Sequence, residues 1–173
     1  MRTKPVVIAV LAALLLTACG QEKKEEGIAF SFTYSYWYNE EQKTIFSTER
    51  GVIQKDLVAA GVETADWNIS EKDLKELKRL TEEYDAAALA EALNARKTSD
   101  GDVMNAVSPE RTCELVFTLD GKECRLTVRS SDLFSLASDS KLAPLVIYFE
   151  KFEEVLKAQE VYASMPEADG AYQ

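Results

Sequence analysis

Residues 113–129 read CELVFTLDGKECRLTVR, and the Asp120-Gly121 pair at their centre decides the fold class. Asp-Gly is the favoured pair for a two-residue hairpin turn, because both positions need positive φ. With the turn there, Cys113 opposes Val128 and Phe117 opposes Cys124. One face then collects Cys113, Leu115, Phe117, Leu119, Cys124, Leu126 and Val128. The other collects Glu114, Thr118, Glu123, Arg125, Thr127 and Arg129. A slip of one residue would turn the apolar set to water, so the register supports itself.

The same period recurs nearer the N-terminus. Phe30, Phe32, Tyr34, Tyr36 and Tyr38 alternate with Ser31, Thr33, Ser35 and Trp37, the pattern of a half-buried strand. Asn39 to Gln42 forms a polar turn, and Lys43 to Arg50 returns as a second strand around Ile45 and Phe46. Val52 to Gly61 fits a strand or a short helix equally. Ser70 opens a helix in the manner of a capping box with Asp73, stapled by Ile69 and Leu74. Leu74, Leu77, Leu80 and Tyr84 form its apolar stripe, and Glu71 pairs with Lys75 on the wet side. Asp85 caps a short alanine-rich turn through Leu93, and Arg96 to Glu110 reads as loop. Ser140 opens the last helix with Pro144 in its first turn, and Leu145, Phe149, Phe152 and Leu156 face a sheet. The expected fold is α+β in the order ββαββα: a four-stranded antiparallel sheet from two hairpins, with two helices on one face. Residues 28–160 make one domain, and 161–173 form a loose C-terminal tail.

Composition narrows the function classes. The 173 residues hold 30 Asp+Glu, 20 Lys+Arg and no histidine. Catalytic units built on histidine and imidazole metal ligands are therefore excluded. Met1 to Lys4 is basic, Val6 to Leu16 is unbroken apolar (VVIAVLAALLL), and polar Gln21 to Glu26 follows. Eleven helical residues span only about 17 Å, against roughly 30 Å of bilayer core, so residues 1–18 read as an export signal. Removing Arg2 and Lys4 takes the formal charge from −10 to −12. That charge disfavours nucleic acid as a partner.

Leu16-Thr17-Ala18-Cys19 resembles the lipobox of bacterial lipoproteins. The resemblance implies diacylglyceryl transfer to the Cys19 thiol, cleavage before it, and a chain held on the exported side of the cell membrane or outer membrane. Two or three acyl chains would hold an acidic domain there, each buried methylene contributing about 0.8 kcal/mol. Residues 19–27 become the lipidated cysteine and a flexible tether. The element order, the Leu-rich helix ending Glu82-Glu83-Tyr84-Asp85 and the Leu119-Asp120-Gly121-Lys122 hairpin resemble small uncharacterised bacterial lipoproteins. The order also resembles, more distantly, emfourin, an inhibitor of thermolysin-type metalloproteases.

Five features could carry chemistry. Cys113 and Cys124 share a face but lie about 13 Å apart along it, beyond the roughly 7 Å a disulfide allows. A disulfide between them stays open only if the turn moves to Thr118-Leu119; two buried thiols are expected. Ser138-Asp139-Ser140-Lys141 matches Ser-x-x-Lys but lacks its companion elements, and reads as a helix N-cap. The doublets Glu40-Glu41, Glu82-Glu83 and Glu153-Glu154 point apart on a helix and read as solvated faces. Asp100-Gly101-Asp102 lacks the remaining ligands of a calcium loop. Tyr36, Trp37 and Tyr38, near a hairpin tip, are the candidate partner-binding residues, because grouped exposed aromatics anchor interfaces.

These readings lead to a non-catalytic, membrane-tethered envelope domain that binds a partner, with no cofactor and no metal. The alternatives are a metalloprotease inhibitor and a small envelope enzyme using carboxylates or a thiol.

Overall fold

The Asp120-Gly121 turn forms with φ of 50° and 80°. The register follows as read, Cys113 opposite Val128 and Phe117 opposite Cys124. In the computed structural model, residues 28–100 and 109–172 are described, with only the backbone for 97–100. The leader, Cys19, the tether, Gly101 and Asp102 lie outside the described residues, and Asp100 is described by its backbone alone.

Six strands, not four, build the sheet. They are β1 (Phe30–Asn39), β2 (Gln42–Ser47), β3 (Val52–Asp56), β4 (Val62–Asp66), β5 (Thr112–Leu119) and β6 (Lys122–Arg129). All neighbours are antiparallel, in the order β4-β3-β2-β1-β5-β6. The segment left open between strand and helix is therefore a strand, and it pairs with a further strand not anticipated. The expected ββαββα order, on which the emfourin likeness rested, is replaced by four strands, two helices, two strands and three helices. The α+β class and the antiparallel sheet hold.

The helices are α1 (Glu71–Glu83), α2 (Ala86–Asp100), α3 (Leu133–Ser138), α4 (Ala143–Lys157) and α5 (Glu160–Ser164), with a 3-10 turn at Ser130–Asp132. Ser70 caps α1 as expected: its hydroxyl accepts from the Asp73 amide at 3.1 Å and donates to the Asp73 carboxylate at 2.8 Å. Asp85 accepts from the Ala88 amide at 3.3 Å, but the helix it starts runs past Leu93 into the expected loop. Ser140 caps nothing. Helix α4 begins at Ala143 with Leu142 at its N-cap, and the Lys141 amide instead donates to the Asp139 side chain at 2.9 Å.

The helices lie on the sheet face carrying Phe32, Tyr34, Phe46, Ile53, Leu115, Phe117 and Leu126, all buried. Phe152 of α4 is the centre of that layer. Its ring stands edge-on to Phe32 at 5.2 Å and to Tyr148 at 5.6 Å. Tyr148 is buried in turn against α1, its hydroxyl 2.9 Å from that of Thr81.

The segment expected as a loose tail is ordered along residues 161–172. Met165 is buried, and Asp169 clamps the β3–β4 turn by bonding Leu57, Ala59 and Ala60. Those bonds hold Val58 at φ 62°, a region that β-branched residues rarely enter. The strap ends with the Tyr172 hydroxyl donating to Asp56.

Replacing Phe152 by Ala is expected to remove about 3–5 kcal/mol from the unfolding free energy. Glu154→Ala, on the exposed side of the same helix, should change it by less than ~0.5 kcal/mol. Urea titration of both variants checks the assignment of the core to the α4–sheet contact.

Candidate functional site

Glu153, read from sequence as half of a solvated doublet, is the least exposed carboxylate among the described ion pairs. Its partner Glu154 is exposed as expected. Helix α4 turns the Glu153 side chain inward beside Phe149 and Phe152, leaving it 12 % exposed. There its Oε1 accepts from the Tyr34 hydroxyl and from Arg111 Nη2 at 2.8 Å. Its Oε2 accepts from Lys157 Nζ at 2.5 Å, and the Cys113 thiol approaches Oε1 at 3.9 Å.

Burial pushes the Glu153 carboxyl up, but the bonds from Lys157 and Tyr34 and the Arg111 and Lys157 charges outweigh it. The carboxyl is left below its ordinary value. Burial drives the neighbouring groups the other way. The Tyr34 hydroxyl is held well above its usual range by desolvation, with the Cys113 and Glu153 charges adding to it. The Cys113 thiol is raised by the same desolvation, only partly offset by Arg111. At neutral pH the knot is therefore one carboxylate, two cations and two neutral donors.

The Arg111 guanidinium lies 4.2 Å from the Tyr36 ring centroid, and the Tyr36 and Tyr162 hydroxyls meet at 3.0 Å. Arg111 enters β5 beside the 3-10 turn. Its amide donates to Ser130 Oγ at 3.1 Å, and its carbonyl accepts from the Ser130 amide at 2.8 Å.

Above this knot opens a cleft of about 180 Å³. Its walls are Val128 of β6, Leu133 and Leu136 of α3, and Leu145, Val146 and Phe149 of α4. Its closed end carries Arg111, Cys113, Ser130 and Glu153. Two residues of α3 stay in water: Leu133, which lines the cleft, is 40 % exposed, and its neighbour Phe134 is 86 % exposed. Among the described residues, no group of three or more carboxylate or thiol side chains is placed to hold a metal ion.

Of the candidate residues weighed from sequence, Cys113 and Glu153 meet in this cleft, and the others do not line it. Tyr36 packs inward under Arg111. Trp37 points to the opposite sheet face, with Lys43 Nζ 3.9 Å above its ring. Tyr38 is 42 % exposed and stacks on Tyr172 at 5.4 Å. Cys113 and Cys124 are free and half-buried, not fully buried. The Ser138 hydroxyl donates to the Phe134 carbonyl at 2.9 Å, away from Lys141. Arg111 and Glu153 carried no sequence signal as a pair, since 42 residues separate them. Only the flanking position of Glu153 on the α4 stripe hinted that it turns inward. The chain matches no protein-family profile and no curated protein.

Two outcomes follow from the knot. Because the folded Glu153 pKa lies below its unfolded value of roughly 4.3, its stabilisation is complete above that pH. It is lost as pH falls through the lowered folded value. The stability gap between wild type and Glu153→Gln should be constant near neutrality and shrink in acid, as read by denaturant titration across pH. Superimposable curves would remove the carboxylate from the stability account. In a Cys124→Ser background, Cys113 should react with a thiol reagent at least about tenfold more slowly than a small free thiol, until denaturant is added.

Proposed function

We propose that the chain is a membrane-tethered envelope lipoprotein whose domain binds a protein partner without catalysing a reaction. The partner docks over the α3 lip of the cleft. The observation that carries this reading is Leu133, 40 % exposed where it lines an apolar-walled cleft, with its neighbour Phe134 86 % exposed on the same short helix. Exposed aromatic and aliphatic side chains beside a preformed recess are the usual anchors of a docking surface. The proposed surface lies on α3 and α4, not at Tyr36, Trp37 and Tyr38.

The chemistry of the closed end supports binding over catalysis. Three donors occupy the Glu153 carboxylate, which leaves it poorly disposed to take a substrate proton. The Cys113 thiol is held protonated by burial, the opposite of an activated nucleophile. The tether and lipid rest on the Leu16-Thr17-Ala18-Cys19 resemblance and on the short apolar leader.

A photo-crosslinking residue at position 134 of the full-length protein, expressed in its own cells, is expected to give one discrete protein adduct. Leu133→Asp should abolish it, whereas a probe at position 37 on the opposite sheet face should give none of it. The same adduct from both probes, or from neither, would count against the α3 surface. Cys19→Ser should move the protein from the detergent phase to the aqueous phase in a phase-separation assay, with its unfolding curve unchanged.

A further inference from the structure

We infer that two copies of this chain pair through the open face of the sheet, about a two-fold axis parallel to the strands. This goes beyond the partner reading above and uses the opposite side of the domain.

The face is what the core leaves over. Phe32, Tyr34 and the other inward residues pack with the helices and the strap in one cluster. The residues between them point the other way. Trp37, Ile45, Val52 and Val116 are half-buried there and belong to no part of that cluster. Six strands at roughly 4.8 Å spacing are about 24 Å wide. Strands β3 and β5, five and eight residues long, run about 17 and 26 Å. Two such faces cover on the order of 1,000 Å² in total, the lower bound for a specific contact.

The registers show what a second copy meets. Two rows cross all six strands. From β4 to β6, one runs Asp66, Val52, Ser47, Thr33, Val116, Arg125, and the other Thr64, Gln54, Ile45, Ser35, Glu114, Thr127. The centre of the sheet falls between β2 and β1. A two-fold there, along the strands, lays each row over itself in reverse. Asp66 then lies over Arg125 of the second copy, Val52 over Val116, and Ser47 over Thr33. In the other row Ile45 lies over Ser35 and Gln54 over Glu114. Acid meets base, apolar meets apolar, and a large side chain meets a small one. Each contact is made twice, as an isologous interface requires.

Arg125 serves two carboxylates at once in this arrangement. Its Nη1 donates to Glu114 of its own chain at 3.0 Å, and a guanidinium has five N–H donors, so others remain for Asp66 of the second copy. Both Arg125 and Asp66 are exposed, at opposite edges of the sheet. Thr33 and Ser47, at the centre, bond each other at 2.8 Å and are short enough for two sheets to approach to roughly 10 Å. A two-fold across the strands would instead lay β4 on β4 and β6 on β6, with acid on acid and arginine on arginine.

The proposed anchor selects the same axis. Rotation about the strand direction keeps both Phe30 ends at one end of the pair, so two tethers reach one bilayer. The crosswise axis sends them to opposite ends.

Sedimentation equilibrium of the full-length chain in detergent, at low salt, tests the inference. Wild type is expected to give a monomer–dimer equilibrium. Asp66→Lys and Arg125→Glu, both at exposed sites, should each weaken association at least about tenfold, because each sets like charges opposite one another twice. An equimolar mixture of the two variants should restore it, since the mixed pair has opposite charges at both contacts. Unfolding curves matching wild type will show that each variant keeps its fold. A monomer at every concentration up to about 0.1 mM would overturn the inference. Variants that associate as tightly as wild type would overturn it in favour of association through the lipid. A mixture no tighter than its components would overturn the pairing of Asp66 with Arg125, and with it the axis. Neither substitution lies on α3, so the crosslinking at position 134 decides the docking reading separately.

Discussion

Phe152 sits edge-on between Phe32 on the sheet and Tyr148 on its own helix, and the layout follows from the limits of that contact. A helix is about 10 Å across, whereas six strands at roughly 4.8 Å spacing make a sheet about 24 Å wide. Helix α4 covers the central strands β1 and β5, and the flanks need other cover. On the β6 side α2 supplies it, with Leu89 and Leu93 buried. On the β2–β3 side the C-terminal strap does so, with the Tyr162 ring tilted against Phe46 at 5.1 Å and Met165 buried. The strap also covers Lys55, an inward-facing lysine only 6 % exposed, whose ammonium reaches the Met165 carbonyl at 3.4 Å and lies 4.7 Å from the Tyr162 ring. A buried ammonium without such partners would be costly, so the strap belongs to the fold.

The cleft is what this three-part cover leaves over. Where α3 meets the start of α4, short helices cannot fill the corner above Val128 and Cys113. The gap is walled by apolar side chains and floored by the ends of the polar network. The floor is satisfied internally: Tyr34, Arg111 and Lys157 all converge on Glu153. A half-buried carboxylate with that many donors fixes α4 against β1 and β5 in one rotation and one register. Replacing a single member would strand the others, which is costlier than never having built the set. The rigidity that results suits a preformed recess, since little ordering remains for a ligand to impose.

Local rules wrote most of the sheet visibly into the sequence. Asp120-Gly121 fixed the β5–β6 register, and the Phe30 to Tyr34 alternation placed the inner face of β1 correctly. Ser70 and Asp73 marked the start of α1. The β3–β4 hairpin escaped notice for physical reasons. Its inward positions on β3 are Ile53 and Lys55, and the lysine breaks the apolar alternation. Strand β4 is an edge strand with four of its five residues exposed, so burial left no pattern on it. Its turn uses Val58 at positive φ, held by Asp169 more than a hundred residues later, where a local reading looks for Gly or Asn. The members of the polar knot were harder still. Tyr34, Arg111 and Glu153 sit on three separate elements, and nothing in the spacing of any one of them announces the other two.

The position of the cleft relative to the tether is a further consequence of strand β1. The chain enters the sheet at Phe30, opposite Leu119 and close to the β5–β6 turn. Tyr36, opposite Cys113, lies six residues further on, about 20 Å along the strand. Arg111 and the cleft belong to that far end. In the proposed anchored state the lipid would hold the Phe30 end, and residues 21–27 could extend at most about 25 Å. The cleft then opens at the end of the domain remote from its attachment. A binding site at the attached end would compete with the bilayer surface for space, whereas one at the remote end is open to a protein approaching from the envelope.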